Sequence, residues 1–256
     1  MNPAPAVFDA YSHYYDLLYR DKDYAAEVNY IDSLLSRFAV SGRDLLEFGS
    51  GTGKHGRLLA ERGYRVTGIE RSGEMVALAT MTEGFCCSQG DICTVQLGRT
   101  FDAVLSLFHV VSYQVENHAV RAVFARAAEH LQPGGLFVFD IWYTPAVYAQ
   151  RTEVRVKRIA DSTFEITRIA EPVVRPNQNC VEVNYTIFVR NLATGATHTL
   201  NETHPMRHFS LPELDLLATE SGFERLTAEA FLTGDGPSED TWGVCLVLRR
   251  KGQGIH

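Results

Sequence analysis

The chain has 256 residues, 45% hydrophobic and 21% charged, the mixture of an ordinary globular domain with enough apolar material for a full core. That balance excludes a disordered tail, a collagen-like fibre and a disulfide-stapled mini-domain. The net charge of −7 argues against nucleic acid as the main partner, because neutralising phosphates needs a basic face.

No stretch approaches the roughly 18 unbroken apolar residues of a membrane helix, and Met1 to Ala10 lacks the basic and apolar regions of a secretory signal. Cys86, Cys87, Cys93, Cys180 and Cys245 are odd in number and form no C-x-x-C pair. They read as small apolar residues of a reducing cytoplasm.

Tyr11, Tyr14, Tyr15, Tyr19, Tyr24 and Tyr30 crowd the start of the chain, and Ile31, Leu34, Leu35 and Phe38 follow at helical spacing. This predicts a helical cap over residues 1–42. From Asp44 the texture becomes β-α-β: a strand to Phe48, a glycine loop from Gly49 to Gly53, and a helix from Lys54 to Arg62 with Gly63 as its stop. Tyr64 to Ile69 is a second strand ending at Glu70, and Ser72 is set to cap a helix through Met75 and Ala79. A short strand near Phe85 leads to Asp91, and Phe101 to Leu107 is an apolar run suited to burial on both faces. Val120, Val123, Phe124, Ala127 and Leu131 mark one helical face, stopped by Pro133-Gly134-Gly135, and Leu136 to Phe139 is a fifth buried strand. The alternation predicts a Rossmann-like, doubly wound α/β sheet over residues 43–149.

Four successive strand patterns without helices fill residues 150–209, with a hairpin turn at Asn191 to Gly195. Residues 151–208 carry eight Lys/Arg against six Asp/Glu, while the remainder carries sixteen against twenty-five. The expectation is an antiparallel, substrate-side insert lying over the main sheet. Residues 210–250 then return to that sheet through a helix opened by the capping box Ser210-Leu-Pro-Glu213 and two last strands. All of this forms a single domain, 1–256.

The loop Glu47-Phe-Gly-Ser-Gly-Thr-Gly53 lets a ligand approach the backbone and a helix N-terminus. A phosphate-binding P-loop fails here, since Phe48 and His55 stand where a glycine and a Ser/Thr are needed. The dinucleotide pattern does match at Gly51, Gly53 and Gly56 with Glu70 downstream, but alone it is weak. S-adenosylmethionine is the third ligand such a loop serves. Context favours it: Arg71-Ser-Gly-Glu-Met75 after Glu70, Gln89-Gly-Asp91-Ile92, Phe101 to Leu107, and Leu131-Gln-Pro-Gly-Gly135 follow in order.

This ordered series resembles the class I S-adenosylmethionine-dependent methyltransferases. Tyr15-Asp-Leu-Leu-Tyr-Arg-Asp-Lys-Asp-Tyr24, Leu107-Phe108 with Tyr113, Asp140-Ile-Trp142, Val181 to Tyr185 with His204, and Gly236-Pro-Ser238 are similar to segments of the bacterial amino-sugar N-methyltransferases. Those enzymes dimethylate the amine of a nucleotide-linked deoxysugar. The resemblance implies that Tyr15, Tyr24, Gly49, Ser50, Gly51, Glu70, Arg71, Met75, Asp91, Ile92 and Leu107 hold the cofactor. Tyr11, His109, Trp142, Arg168 and Arg207 would face a small-molecule acceptor, a sugar nucleotide in the preferred case. Relatives carry Glu in place of Asp140, Trp in place of Tyr143 and a Gly-Arg-Gly where this chain has Glu239-Asp240-Thr241; the last departure puts the phosphate contact in doubt.

An ammonium has no lone pair, so an amine acceptor must lose a proton before methyl transfer. Tyr113 is the first candidate to accept it, His204 the second and His109 the third. His198, His204 and His208 would share one strand face, but Pro205 interrupts it and no metal is expected. Another small amine or a hydroxyl metabolite as acceptor, or a non-catalytic cofactor-binding module, stays open, and so does a homodimer.

Overall fold

A computed structural model describes residues 12–252. Helices α1 (Ser12–Leu18) and α2 (Tyr24–Arg37) form the expected N-terminal cap; Tyr11 lies outside the described residues. Asp23 opens α2 by accepting from Ala26 N at 2.8 Å, and Val28, Ile31, Leu34 and Leu35 bury one face of it. There follow β1 (Asp44–Phe48), α3 (Lys54–Ala60), β2 (Arg65–Glu70), α4 (Gly73–Leu78) and β3 (Phe85–Gln89). Next come β4 (Phe101–Ser106), α5 (Asn117–Glu129) and β5 (Leu131–Tyr143). These five strands lie in the order β3-β2-β1-β4-β5 and pair in parallel. The chain thus leaves β1 toward β2 on one side and returns to β4 on the other. Such a switch opens a crevice at the carboxyl ends of β1 and β4.

Leu45, Leu46, Ala103, Val104, Leu105 and Phe137 to Phe139 are wholly buried, as a sheet covered on both faces demands. One face packs with Val28, Ile31, Leu34 and Leu59 of α2 and α3; the other packs with Val120, Val123 and Phe124 of α5.

Three expectations change. The strand after α5 starts at Leu131 and runs through Pro133-Gly134-Gly135, because α5 has already ended at Glu129 with His130 as its cap. A helix that the sequence patterns did not reveal, α6 (Thr144–Gln150), follows β5 with Pro145 in its first turn. The insert is hydrogen-bonded to the sheet as well as packed near it. Its strands β6 (Arg155–Ala160), β7 (Phe164–Arg175), β8 (Cys180–Asn191) and β9 (Thr197–Phe209) are antiparallel, and β9 joins β5 in parallel at Trp142–His208 and Tyr143–Phe209. It therefore extends the sheet beyond its carboxyl end.

Helix α7 (Leu211–Glu220) begins after Ser210, whose side chain makes no capping bond; Glu213 pairs instead with Arg207 at 2.6 Å. Strands β10 (Phe223–Ala230) and β11 (Gly243–Arg250) close the core, β11 running antiparallel between β5 and β10. All five cysteines are free. Among the described residues no helix is long and apolar enough to cross a membrane.

Candidate active site

Strand β1 empties into a loop where Gly49, Gly51 and Gly53 take φ of +73°, +55° and +78°, a left-handed backbone that favours glycine. Space matters as much at Gly49, where a Cβ would come within 2.5 Å of Val110. At Gly51 a Cβ would meet only the Met75 sulfur, at 3.8 Å, so the loop presents bare backbone to open space. Glu70, ending β2, accepts from Gly51 N at 2.9 Å and Ser72 N at 2.8 Å, and so straps the loop to the next helix. Burial pushes the Glu70 carboxyl pKa up, and these N–H donors oppose the rise.

The space beyond is a cavity of about 1080 Å³, large enough for a cofactor and part of an acceptor. Its walls hold Tyr15, Tyr24, Gly49, Ser50, Gly51, Glu70, Arg71, Met75, Asp91, Ile92 and Leu107, every residue expected to hold the cofactor. These residues fit S-adenosylmethionine: a glycine-rich loop with open backbone at Gly51, a carboxylate at the end of β2, the buried Met75 and Ile92, and Asp91 beyond β3. Beneath the loop, Glu27 pairs with Lys22 and with His55 Nε2, the latter at 2.6 Å. Burial lowers the His55 pKa, against the opposing pull of Glu27.

Of the residues expected toward the acceptor, His109, Tyr113 and Trp142 line the same cavity. His204 stands behind Tyr113, with the phenol oxygen 3.1 Å from its Nδ1. Its Nε2 lies 2.9 Å from a Glu202 carboxylate oxygen. Glu202 and His204 are two apart on β9 and so share its inner face, a signal the sequence contained. Burial raises the Tyr113 pKa well above that of an ordinary tyrosine, so the phenol keeps its proton and donates to His204.

Arg168 is set back from the cavity, packed over the rings of Tyr19 and Tyr185 and donating to the Tyr19 hydroxyl at 3.1 Å. Arg207 does not reach the cavity. It donates to the Val115 carbonyl at 3.0 Å and pairs with Glu213. Its guanidinium is held instead by Glu213 in the first turn of α7.

The three histidines of β9 go to separate partners: His198 to the Tyr14 hydroxyl, His204 to Tyr113 and His208 to Thr144. No group of three or more metal-ligating side chains occurs among the described residues. Residues that the sequence patterns missed include Tyr19, Tyr185 and Trp242, which line the cavity, and Asp140. The last is 1% exposed and lies 2.6 Å from His109 Nδ1. A smaller cavity of about 550 Å³ adjoins, lined by His109, Asp235, Ser238, Asp240, Thr241 and Trp242 among others. The acidic turn that departs from the sugar methyltransferases borders it.

A methyltransferase-domain family profile matches residues 45–135. The chain is 30% identical over 225 residues to the dTDP-3-amino-3,4,6-trideoxy-alpha-D-glucopyranose N,N-dimethyltransferase of Streptomyces venezuelae, covering 87% of this chain and 93% of that one. It is 29% identical to the dTDP-3-amino-3,6-dideoxy-alpha-D-glucopyranose N,N-dimethyltransferase of Streptomyces fradiae, covering 88% of this chain and 86% of that one. Among solved structures, Streptomyces venezuelae DesVI superposes with a TM-score of 0.77 at 25% identity, over 96% of this chain and all of that one.

Proposed function

The chain belongs to the S-adenosylmethionine-dependent methyltransferases, and on that premise we propose that it methylates the amine of a nucleotide-linked amino sugar. The observation that carries this reading is the reach of the similarity. It covers 87% of the chain, taking in the cap and the insert and not only the cofactor-binding core.

Gly49, Ser50 and Gly51, with Tyr15, Tyr24 and Arg71 nearby, would hold the cofactor's amino-acid end, and Glu70 its ribose. Met75 and Ile92 would face the adenine, Asp91 its amino group, and Leu107 the sulfur end. When bound there, S-adenosylmethionine supplies an electrophilic methyl group. The protein's part is to place the acceptor nitrogen in line with it, to exclude water and to take up a proton. The Tyr113 oxygen accepts the N–H of the amine while its own O–H donates to His204. Glu202 holds the far side of that imidazole and fixes its tautomer. Trp142 and Trp242, with ring centroids 5.4 Å apart, form the apolar wall against which the sugar lies.

The test is a screen with isotopically labelled donor against nucleotide-linked amino sugars, other small amines and hydroxyl acceptors. Label should enter the amino-sugar nucleotide, and mass spectrometry counts the methyl groups. Transfer confined to other amines or to hydroxyls would overturn the substrate assignment. Donor binding without transfer to any acceptor would reduce the chain to a binding module.

A further inference from the structure

We propose that His109 is a second catalytic proton acceptor of this site, positioned by Asp140, and that it passes the acceptor's proton outward through the smaller cavity. This rests on the reading of an amine acceptor given above.

The geometry is unusual for so short a segment. Phe108 and His109, shortly beyond β4, have φ of +64° and +63°, a backbone that non-glycine residues rarely adopt. One carboxylate holds the turn. The His109 backbone N–H donates to both Asp140 oxygens, at 3.1 and 3.2 Å, while the ring Nδ1 lies 2.6 Å from Oδ2. Burial opposes ionisation of Asp140, but its contacts with His109 outweigh it and hold the carboxyl below the ordinary aspartate range. The carboxylate faces Nδ1, and in a ring that carries its proton on that side the lone pair is on Nε2, to which no described residue donates or accepts a hydrogen bond.

Position supplies the function. The His109 ring lines both the large cavity and the smaller one. Gly243 lies beside the ring, where a Cβ would come 3.5 Å from Cε1. Behind Tyr113 and His204, the Glu202 side chain is only 9% exposed. The smaller cavity is bordered by the exposed Asp235 and Asp240, whose carboxylates favour a proton leaving in that direction. In the step, the acceptor's N–H bond breaks, the proton bonds to Nε2 and the electron pair stays on nitrogen as the attacking lone pair. The imidazolium then gives its proton to water in the smaller cavity, and the neutral ring is restored for the next turnover.

The experiment uses His109→Gly and His109→Asn, because both residues accept a left-handed backbone and neither takes up a proton. Single-turnover methyl transfer at saturating donor should fall on the order of 10²-fold in each, with donor affinity by calorimetry unchanged. Imidazole added to His109→Gly, where a ring-sized space is left, should restore the rate several-fold, and it should not do so for His109→Asn. In donor-free protein carrying ¹⁵N-labelled histidine, the His109 signals, assigned by their loss in His109→Gly, should show a ring protonated on Nδ1, and Asp140→Ala, which leaves no acceptor there, should move them away from that tautomer. A wild-type rate in His109→Gly, a loss that imidazole does not restore, or an unchanged His109 tautomer in Asp140→Ala would each overturn the proposal. Failure of the wild-type protein to methylate any amine would instead overturn the function on which it rests.

Discussion

Tyr113 is half-buried with its hydroxyl on His204, so the change Tyr113→Phe removes one oxygen and leaves the ring packing in place. Methyl transfer in a single turnover should fall by about 10- to 100-fold, at the lower end of what a positioned proton acceptor contributes, because His109 remains. Donor affinity should hardly move. Glu70→Ala should do the reverse: Gly51 N and Ser72 N lose their shared acceptor, and donor binding should weaken in calorimetry by 10-fold or more, since a charged acceptor for backbone donors contributes about 1.5–3 kcal/mol. A Tyr113→Phe protein with weakened donor binding would place that tyrosine in the cofactor site instead. Residue chemistry was legible in the sequence where it sits on an ordered motif, as with Gly49, Glu70 and Tyr113. Asp140 was hidden because its importance lies in a contact with His109, 31 residues away in sequence. Arg207 reads as a ligand residue by type, and its pairing with Glu213 of α7 holds it away.

At the scale of elements, β1 and β4 were readable because their buried apolar residues stand beside a carboxylate or a glycine loop, and β2 and β3 because glycines and acidic residues bracket them. Helix α6 was not, since Thr144 to Gln150 is too short for a periodic face to stand out. The attachment of the insert was hidden for another reason: only two residue pairs join β9 to β5, and no local pattern encodes them. The turn from β1 to α3 is the element most exposed to a single change. Gly49→Ala adds a Cβ in a left-handed backbone and drives it into Val110, so two costs combine. Strain of about 1–2 kcal/mol adds to overpacking of about 1–3 kcal/mol, and urea denaturation should show a loss of that order. Val110→Ala in the same protein should recover the overpacking part and leave the strain. If the double variant were no more stable than Gly49→Ala, the close approach to Val110 would not be what fixes glycine there.

For the whole molecule, buried carboxyl groups set the pH range of stability from opposite sides. Glu47, wholly buried under the glycine loop, has its pKa pushed up to about 8 by burial and by the nearby Glu70 charge. A group with a raised native pKa contributes stability that is fully present below its unfolded value and is lost as pH rises through the native one. Glu47 therefore weakens the fold progressively from the ordinary glutamate range up to about pH 8. Asp140 and Glu27 have lowered native pKa values. Burial opposes ionisation of both, and His109 for Asp140, with His55 and Lys22 for Glu27, outweighs it. Their contribution is present above the ordinary carboxyl range and lost as pH falls below it. The melting temperature should thus peak on the mildly acid side of neutrality and decline in both directions. Glu47→Gln keeps the shape of the neutral carboxyl and removes the titration, so it should flatten the alkaline decline and leave the acid limb unchanged. The gain should be negligible near pH 4 and reach one to a few kcal/mol by pH 8, following the linkage relation. A stability difference between wild type and Glu47→Gln that is constant from pH 4 to pH 9 would show that Glu47 does not change its protonation on unfolding. The alkaline decline would then belong to other groups.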